Sequence, residues 1–155
     1  MTLRSLIRQA LPWGIAAACL VAASARVQPT TPVGRWKTID DKSGVAKSIV
    51  RIADVNGELQ GKVEQVFSPP APKAEPLCEK CSGERKNKPI VGMTIMWGLK
   101  KNGDEFTGGQ VLDPESGKTY RCKLRVIDNG AKLELRGFIG FSLLGRTQTW
   151  IRESS

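Results

Sequence analysis

Lys118-Thr119-Tyr120-Arg121-Cys122-Lys123-Leu124-Arg125-Val126 alternates in character with a period of two. Tyr120, Cys122, Leu124 and Val126 fall on one side, Arg121, Lys123 and Arg125 on the other. That is the pattern of a strand with one face against a core and one in water. Turn chemistry brackets the run: Asp113-Pro114-Glu115-Ser116-Gly117 before it and Asp128-Asn129-Gly130 after it.

The same arrangement repeats outward in both directions. Toward the C-terminus, Lys132 to Phe138 reads as a strand, a Gly-bearing corner spans Gly140 to Gly145, and Arg146 to Arg152 is the last strand. Toward the N-terminus, Glu105 to Leu112 and Val91 to Trp97 flank Asn102-Gly103. Leu59 to Phe67 and Ala46 to Asp54 flank Asn56-Gly57, a strong hairpin signal. The first run, Val33 to Ile39, stops at Asp40-Asp41-Lys42-Ser43-Gly44. The spacing predicts eight strands, mostly hairpin-connected, without convincing helical periodicity; Val91 to Trp97 is short enough to form a helical turn instead. An all-β, antiparallel up-and-down barrel follows, because closure removes the unpaired edges of such a meander. Gly61, Gly108, Gly109, Gly137 and Gly140 suit the bulges and kinks by which a small barrel bends.

One stretch breaks the pattern. Residues 68–89 contain Pro69, Pro70, Pro72 and Pro76 together with Cys78 and Cys81, and this proline density predicts a long loop without strand or helix.

The N-terminus reads as a targeting segment. Arg4 and Arg8 precede an apolar, Ala-rich stretch from Leu11 to Ala23, and Ala23-Ser24-Ala25 is a small-x-small cleavage site. Residues 1–25 are expected to be a cleavable signal peptide, with an uncleaved anchor or lipid attachment at Cys19 as alternatives. Residues 26–155 then form a single exported domain, periplasmic or secreted, with no transmembrane segment. Removing the signal lowers the formal net charge from +9 to +7. A basic domain favours acidic partners in general, but its Lys and Arg are scattered along the chain. No specific nucleic-acid site is expected.

Absences narrow the chemistry. The chain has no His, so Ser-His-Asp and Cys-His catalysis, His-ligated zinc and Cys-x-x-Cys-His haem attachment are excluded. No glycine loop opens a helix to cradle phosphate. The pairs Asp40-Asp41 and Asp104-Glu105 sit at turns, where carboxylates serve local backbone groups. No cofactor, metal site or catalytic residue is assigned, and the domain reads more as a non-enzyme than as an enzyme.

Cys78-x-x-Cys81 is the most pointed local motif. A redox pair wants a helix N-terminus and a structural zinc site four ligands; a disulfide in an oxidising compartment is the leading reading, with free or redox-active thiols and then a metal site as alternatives. Cys122 is a third candidate. Closing the loop onto it would contribute roughly 4 kcal/mol against about 2 for a bond within the motif, yet its phase points into the core. The pairing stays open. Gly34-x-Trp36 on the first strand and Arg152 at the end of the last become neighbours in a closed barrel. The guanidinium can then stack on the indole and seal one end, with Trp150 placed to share that role.

Two segments carry a resemblance: Gly108-Gly109-Gln110-Val111-Leu112-Asp113-Pro114-Glu115-Ser116-Gly117-Lys118-Thr119-Tyr120, and the closing run from Leu133 through Gly137-Phe138-Ile139-Gly140-Phe141-Ser142-Leu143-Leu144-Gly145 to Trp150. With Val33-Gly34-Arg35-Trp36 and Pro89-Ile90-Val91-Gly92-Met93, they resemble a bacterial family of small exported proteins, the domain of unknown function numbered two-one-four-seven. The resemblance spans essentially the whole mature chain and implies a lipocalin-like (calycin-like) barrel without an established activity. Lipocalins proper also carry Gly-x-Trp on the first strand and a late Arg, matched here by Gly34, Trp36 and Arg152. This sequence lacks their other motif regions, and its Cys78-Cys81 loop is no general lipocalin feature.

Three functions compete. The first is a non-catalytic binding module for a small apolar or anionic amphiphilic ligand, lined by Trp97, Phe106, Tyr120, Phe138 and Phe141, with Arg136 or Arg146 meeting a headgroup. The second is a basic envelope protein whose Arg121-Lys123-Arg125 face and Pro/Cys loop meet an anionic surface. The third is a thiol-dependent redox protein using Cys78 and Cys81.

Overall fold

A computed structural model describes residues 30–67 and 75–154. The signal-peptide reading of residues 1–25, including Cys19, and the stretch from Pro69 to Pro72 lie outside the described residues. Eight strands follow in order: β1 (Gly34–Ile39), β2 (Ala46–Val55), β3 (Glu58–Val66), β4 (Thr94–Asn102), β5 (Glu105–Asp113), β6 (Lys118–Ile127), β7 (Lys132–Phe138) and β8 (Gly145–Arg152). Each pairs antiparallel with the next, and β8 returns to β1 to close the barrel. The closing seam is short, holding Trp36 opposite Arg152 and Lys37 opposite Ile151.

The alternation of β6 governs its placement. Cys122 and Leu124 are buried, Tyr120 and Val126 half-buried, and Arg121 and Arg125 exposed. The inward side chains of all eight strands form one core that includes Trp36, Val50, Ile52, Leu59, Val63, Met96, Leu99, Leu124, Leu133 and Trp150. Register shifts in β3 at Gly61 and in β5 between Phe106 and Gly109 provide the bends.

Two expectations need correction. The strand expected at Val91 to Trp97 is Thr94–Asn102. Residues 90–93 instead form a turn in which Met93 N–H donates to Ile90 O, so the strand starts later and runs into the Asn102-Gly103 turn. The loop at 68–89 is also not wholly irregular. Gly83–Arg85 forms a single 3-10 turn, and Leu77 bridges Pro89. No Pro lies between Leu77 and Lys88, so nothing there forbids local hydrogen bonding.

The connections sort the barrel into two ends. The turns after β2, β4 and β6, two of them two-residue hairpins, lie at one end with the entering segment Thr31 to Val33. The connections after β1, β3, β5 and β7 lie at the other.

Candidate functional site

The end with the tight turns is sealed from the first and last strands. The Arg152 guanidinium carbon stands 4.2 Å from the centroid of the Trp36 ring, close enough for cation-π attraction. Its nitrogens donate to the carbonyls of Gly130 (2.6 Å), Thr31 (2.6 Å) and Val33 (3.2 Å). Trp36 Nε1 donates to Pro32 O at 2.7 Å, so the entering segment is strapped across the floor by both partners. Burial lowers the pKa of Arg152. Gly34 has φ +140°, and a Cβ there would lie 2.8 Å from an Arg152 guanidinium nitrogen; the position must be Gly for the arginine to reach its carbonyls.

Above that seal the barrel opens into a cavity of about 810 Å³. Val63, Ile95, Val111, Leu112, Leu135 and Trp150 supply apolar wall, and Tyr120, Phe138, Leu143 and Leu144 continue it to the mouth. The polar wall groups partner one another. Thr38 Oγ1 and Ser48 Oγ are 2.8 Å apart, and Trp150 Nε1 donates to Gln148 Oε1 at 3.1 Å.

Charge appears only at the mouth. Asp40, Lys47, Asp113, Glu115 and Arg146 line it. Lys47 pairs with Glu115 at 3.1 Å, and Arg146 is held by Asp41 across the opening, with Asp40 at 3.7 Å. Hydrogen bonding to Arg146 lowers the Asp41 pKa, and the same contact raises that of Arg146. Hydrogen bonds from Ser43 lower the Asp40 pKa. Both mouth cations are therefore already neutralised by carboxylates.

Of the residues singled out from sequence, Tyr120, Phe138 and Arg146 line this cavity. Trp97 does not; its ring lies 4.7 Å from the Arg85 guanidinium. Phe106 opens β5 at the sealed end, opposite Lys101. Arg136 is turned onto the β7–β8 connection, donating to the carbonyls of Ser142 (2.6 Å) and Leu143 (3.1 Å) and to Thr147 Oγ1 (2.9 Å). Phe141 projects from that connection into solvent. Trp150 lines the cavity rather than sharing the seal. Thr38, Ser48, Leu135 and Gln148 were recoverable from the strand phases: each lies an even number of residues from an inward Trp36, Val50, Leu133 or Trp150.

The basic face of β6 is largely compensated. Lys123 Nζ meets both Glu105 oxygens at 3.0 and 3.1 Å, Arg125 pairs with Glu134 at 2.6 Å, and Arg121 lies 5.8 Å from the Phe138 ring centroid.

Cys78 and Cys81 form a disulfide, and both residues are buried. The bonded loop packs on the β5–β6 turn so closely that a Cβ on Gly117 would lie 1.9 Å from Lys80 O. Cys122 is free and buried in the core; burial pushes its thiol pKa up to about 12. Neither arrangement presents the exposed, low-pKa thiolate that exchange requires.

A solved structure described as "Protein HP1028 from the human pathogen Helicobacter pylori belongs to the lipocalin family" matches with a TM-score of 0.70, covering 81% of this chain and 85% of that one at 20% identity. The likeness is one of fold. No curated protein matches. A family model described as "Uncharacterized protein conserved in bacteria (DUF2147)" matches residues 34–152. Those limits are the first residue of β1 and the last of β8, so the match takes in Trp36 and Arg152, all eight strands around the cavity and the disulfide loop, and the chain belongs to this bacterial family.

Proposed function

We propose that the protein is an exported, non-catalytic binding module whose barrel takes up one small, predominantly apolar molecule through its open end. The observation that carries this reading is the cavity: about 810 Å³, closed at one end and apolar along its depth. Ligand sites for small molecules have volumes of roughly 300–1,000 Å³, and an eight-stranded barrel is wide enough to hold one. Between an apolar and an anionic amphiphilic ligand, the paired mouth favours the apolar one. An anionic headgroup would have to displace Asp41 from Arg146 or Glu115 from Lys47. The apolar N-terminal segment and the disulfide fit an oxidising compartment outside the cytoplasm.

Native mass spectrometry of the protein recovered from its own compartment, compared with the denatured mass, tests the reading. The expected result is an added mass of a few hundred daltons, lost on denaturation. Protein that stays bare even when equilibrated with an apolar naphthylamine fluorophore would refute it.

A further inference from the structure

The connection between β7 and β8 is built unlike the other turns. Ile139, Phe141, Leu143 and Leu144 are 69, 80, 88 and 77% exposed, four large apolar side chains within six residues. No other segment of the described residues presents such a group; the remaining exposed apolar side chains are scattered singly, which is ordinary for a soluble surface.

Three carbonyls of this connection and one of its N–H groups find partners within the chain. Leu144 N–H donates to Phe141 O, and the Arg136 guanidinium caps Ser142 O and Leu143 O. Carbonyls at a loop tip normally take hydrogen bonds from water. Capping two of them with an internal guanidinium lowers the desolvation cost of moving the tip out of water into the lipid interface. On this side of the mouth charge is arranged to match; the carboxylates Asp40, Asp41, Asp113 and Glu115 stand at the connections after β1 and β5. No Asp or Glu occurs from Leu135 to Arg152. Behind the apolar tip stand Arg136, whose hydrogen bonds go to carbonyls and a hydroxyl, and Arg121, beside the Phe138 ring. Neither has a carboxylate partner among the described residues. Apolar tips with arginines one layer behind are complementary to acyl chains beneath phosphate headgroups.

We infer that the β7–β8 connection docks the barrel mouth-first onto the surface of a phospholipid bilayer, with Phe141, Leu143 and Leu144 entering the headgroup–acyl boundary. Ile139, Leu143 and Leu144 also line the cavity, so docking sets the mouth directly on the lipid. The docking itself does not require the cavity to be loaded.

The test places an environment-sensitive bimane label on Leu143→Cys and, as a control at the sealed end, on Asp104→Cys. Cys122 is buried and does not compete for the label. On adding vesicles of phosphatidylcholine with 30% phosphatidylglycerol, the label at 143 is expected to shift to the blue and to be quenched by spin-labelled lipid; the label at 104 is expected to do neither. Phe141→Ser should weaken the response at 143 at least ten-fold without moving the thermal midpoint. Arg121→Ala should weaken it about five-fold, the share of one basic side chain near an anionic surface. Equal responses at 143 and 104, or none, would overturn the inference. So would a blue shift at 143 that rises with protein concentration in the absence of vesicles, which would make the tip a contact between copies of the chain.

Discussion

Arg152→Met removes the guanidinium that closes the barrel while keeping much of the stem that packs along Trp36. The expected loss can be built from the contacts. The cation-π contact at 4.2 Å contributes about 1 kcal/mol in a partly desolvated site. Thr31 and Val33 are exposed, so their carbonyls can rehydrate, and losing those two bonds costs about 0.5 kcal/mol each. Gly130 is buried, and its carbonyl, 2.6 Å from Arg152 Nε, would be left with a desolvation cost of about 1–2 kcal/mol. The total is about 3–4 kcal/mol. For a domain of this length it corresponds to a fall of about 10 °C in Tm. With a urea slope near 1.5 kcal/mol/M, the midpoint falls by about 2 M. Urea unfolding followed by tryptophan fluorescence is the assay, with Trp36→Leu and the double variant completing a cycle whose coupling should be about 1 kcal/mol. A single variant within 0.5 kcal/mol of the parent, or a coupling of zero, would refute the idea that this pair closes the barrel. Ligand affinity should be unchanged by Arg152→Met, since the cavity lies above the seal.

Two further expectations concern the cysteines. Because burial pushes the Cys122 thiol from near 9 to about 12, the unfolded chain binds fewer protons than the folded one between those values. Stability contributed by the neutral thiol is complete below pH 9 and falls as pH rises, by at most about 1.4 kcal/mol per unit. Cys122→Ala should flatten this alkaline slope in urea titrations at pH 8 to 10.5, and in the parent the thiol should react with a disulfide reagent only on unfolding. Replacing Cys78 and Cys81 together with Ser opens a short loop of sequence separation 3 and should cost about 2 kcal/mol. Affinity for an apolar probe should survive that change; its complete loss in a folded protein would point to the thiols as functional.

The barrel was legible because its signals are local and repeated. The period-two run of β6, the Asn-Gly turns and the glycines at the bends each specify a strand or a corner without knowledge of distant residues. The seal was legible for a topological reason: Trp36 and Arg152 lie at the two ends of the sequence, and only closure brings them together. The cavity was less so. Bulk is a poor guide to the lining: Trp97 lies beside Arg85 and Phe106 stands at the sealed end, so neither reaches the cavity. The role of Arg136 could not be foreseen from spacing. It faces outward by phase, and only the fold of the following connection brings two carbonyls to its guanidinium.

The most direct test of the binding account fills the cavity without disturbing the strand. Gly137 lines the cavity, and a Cβ there would meet Tyr120 Cβ at 3.6 Å and Val111 Cγ1 at 3.8 Å, ordinary contact distances. Gly137→Phe should therefore fold and place its ring among the lining residues. Titration with an apolar naphthylamine fluorophore is expected to give saturable one-to-one binding to the parent and at least ten-fold weaker binding to Gly137→Phe, with Tm unchanged within a few degrees. Equal affinity for the two proteins would contradict the account, because the probe would then bind elsewhere than in the barrel.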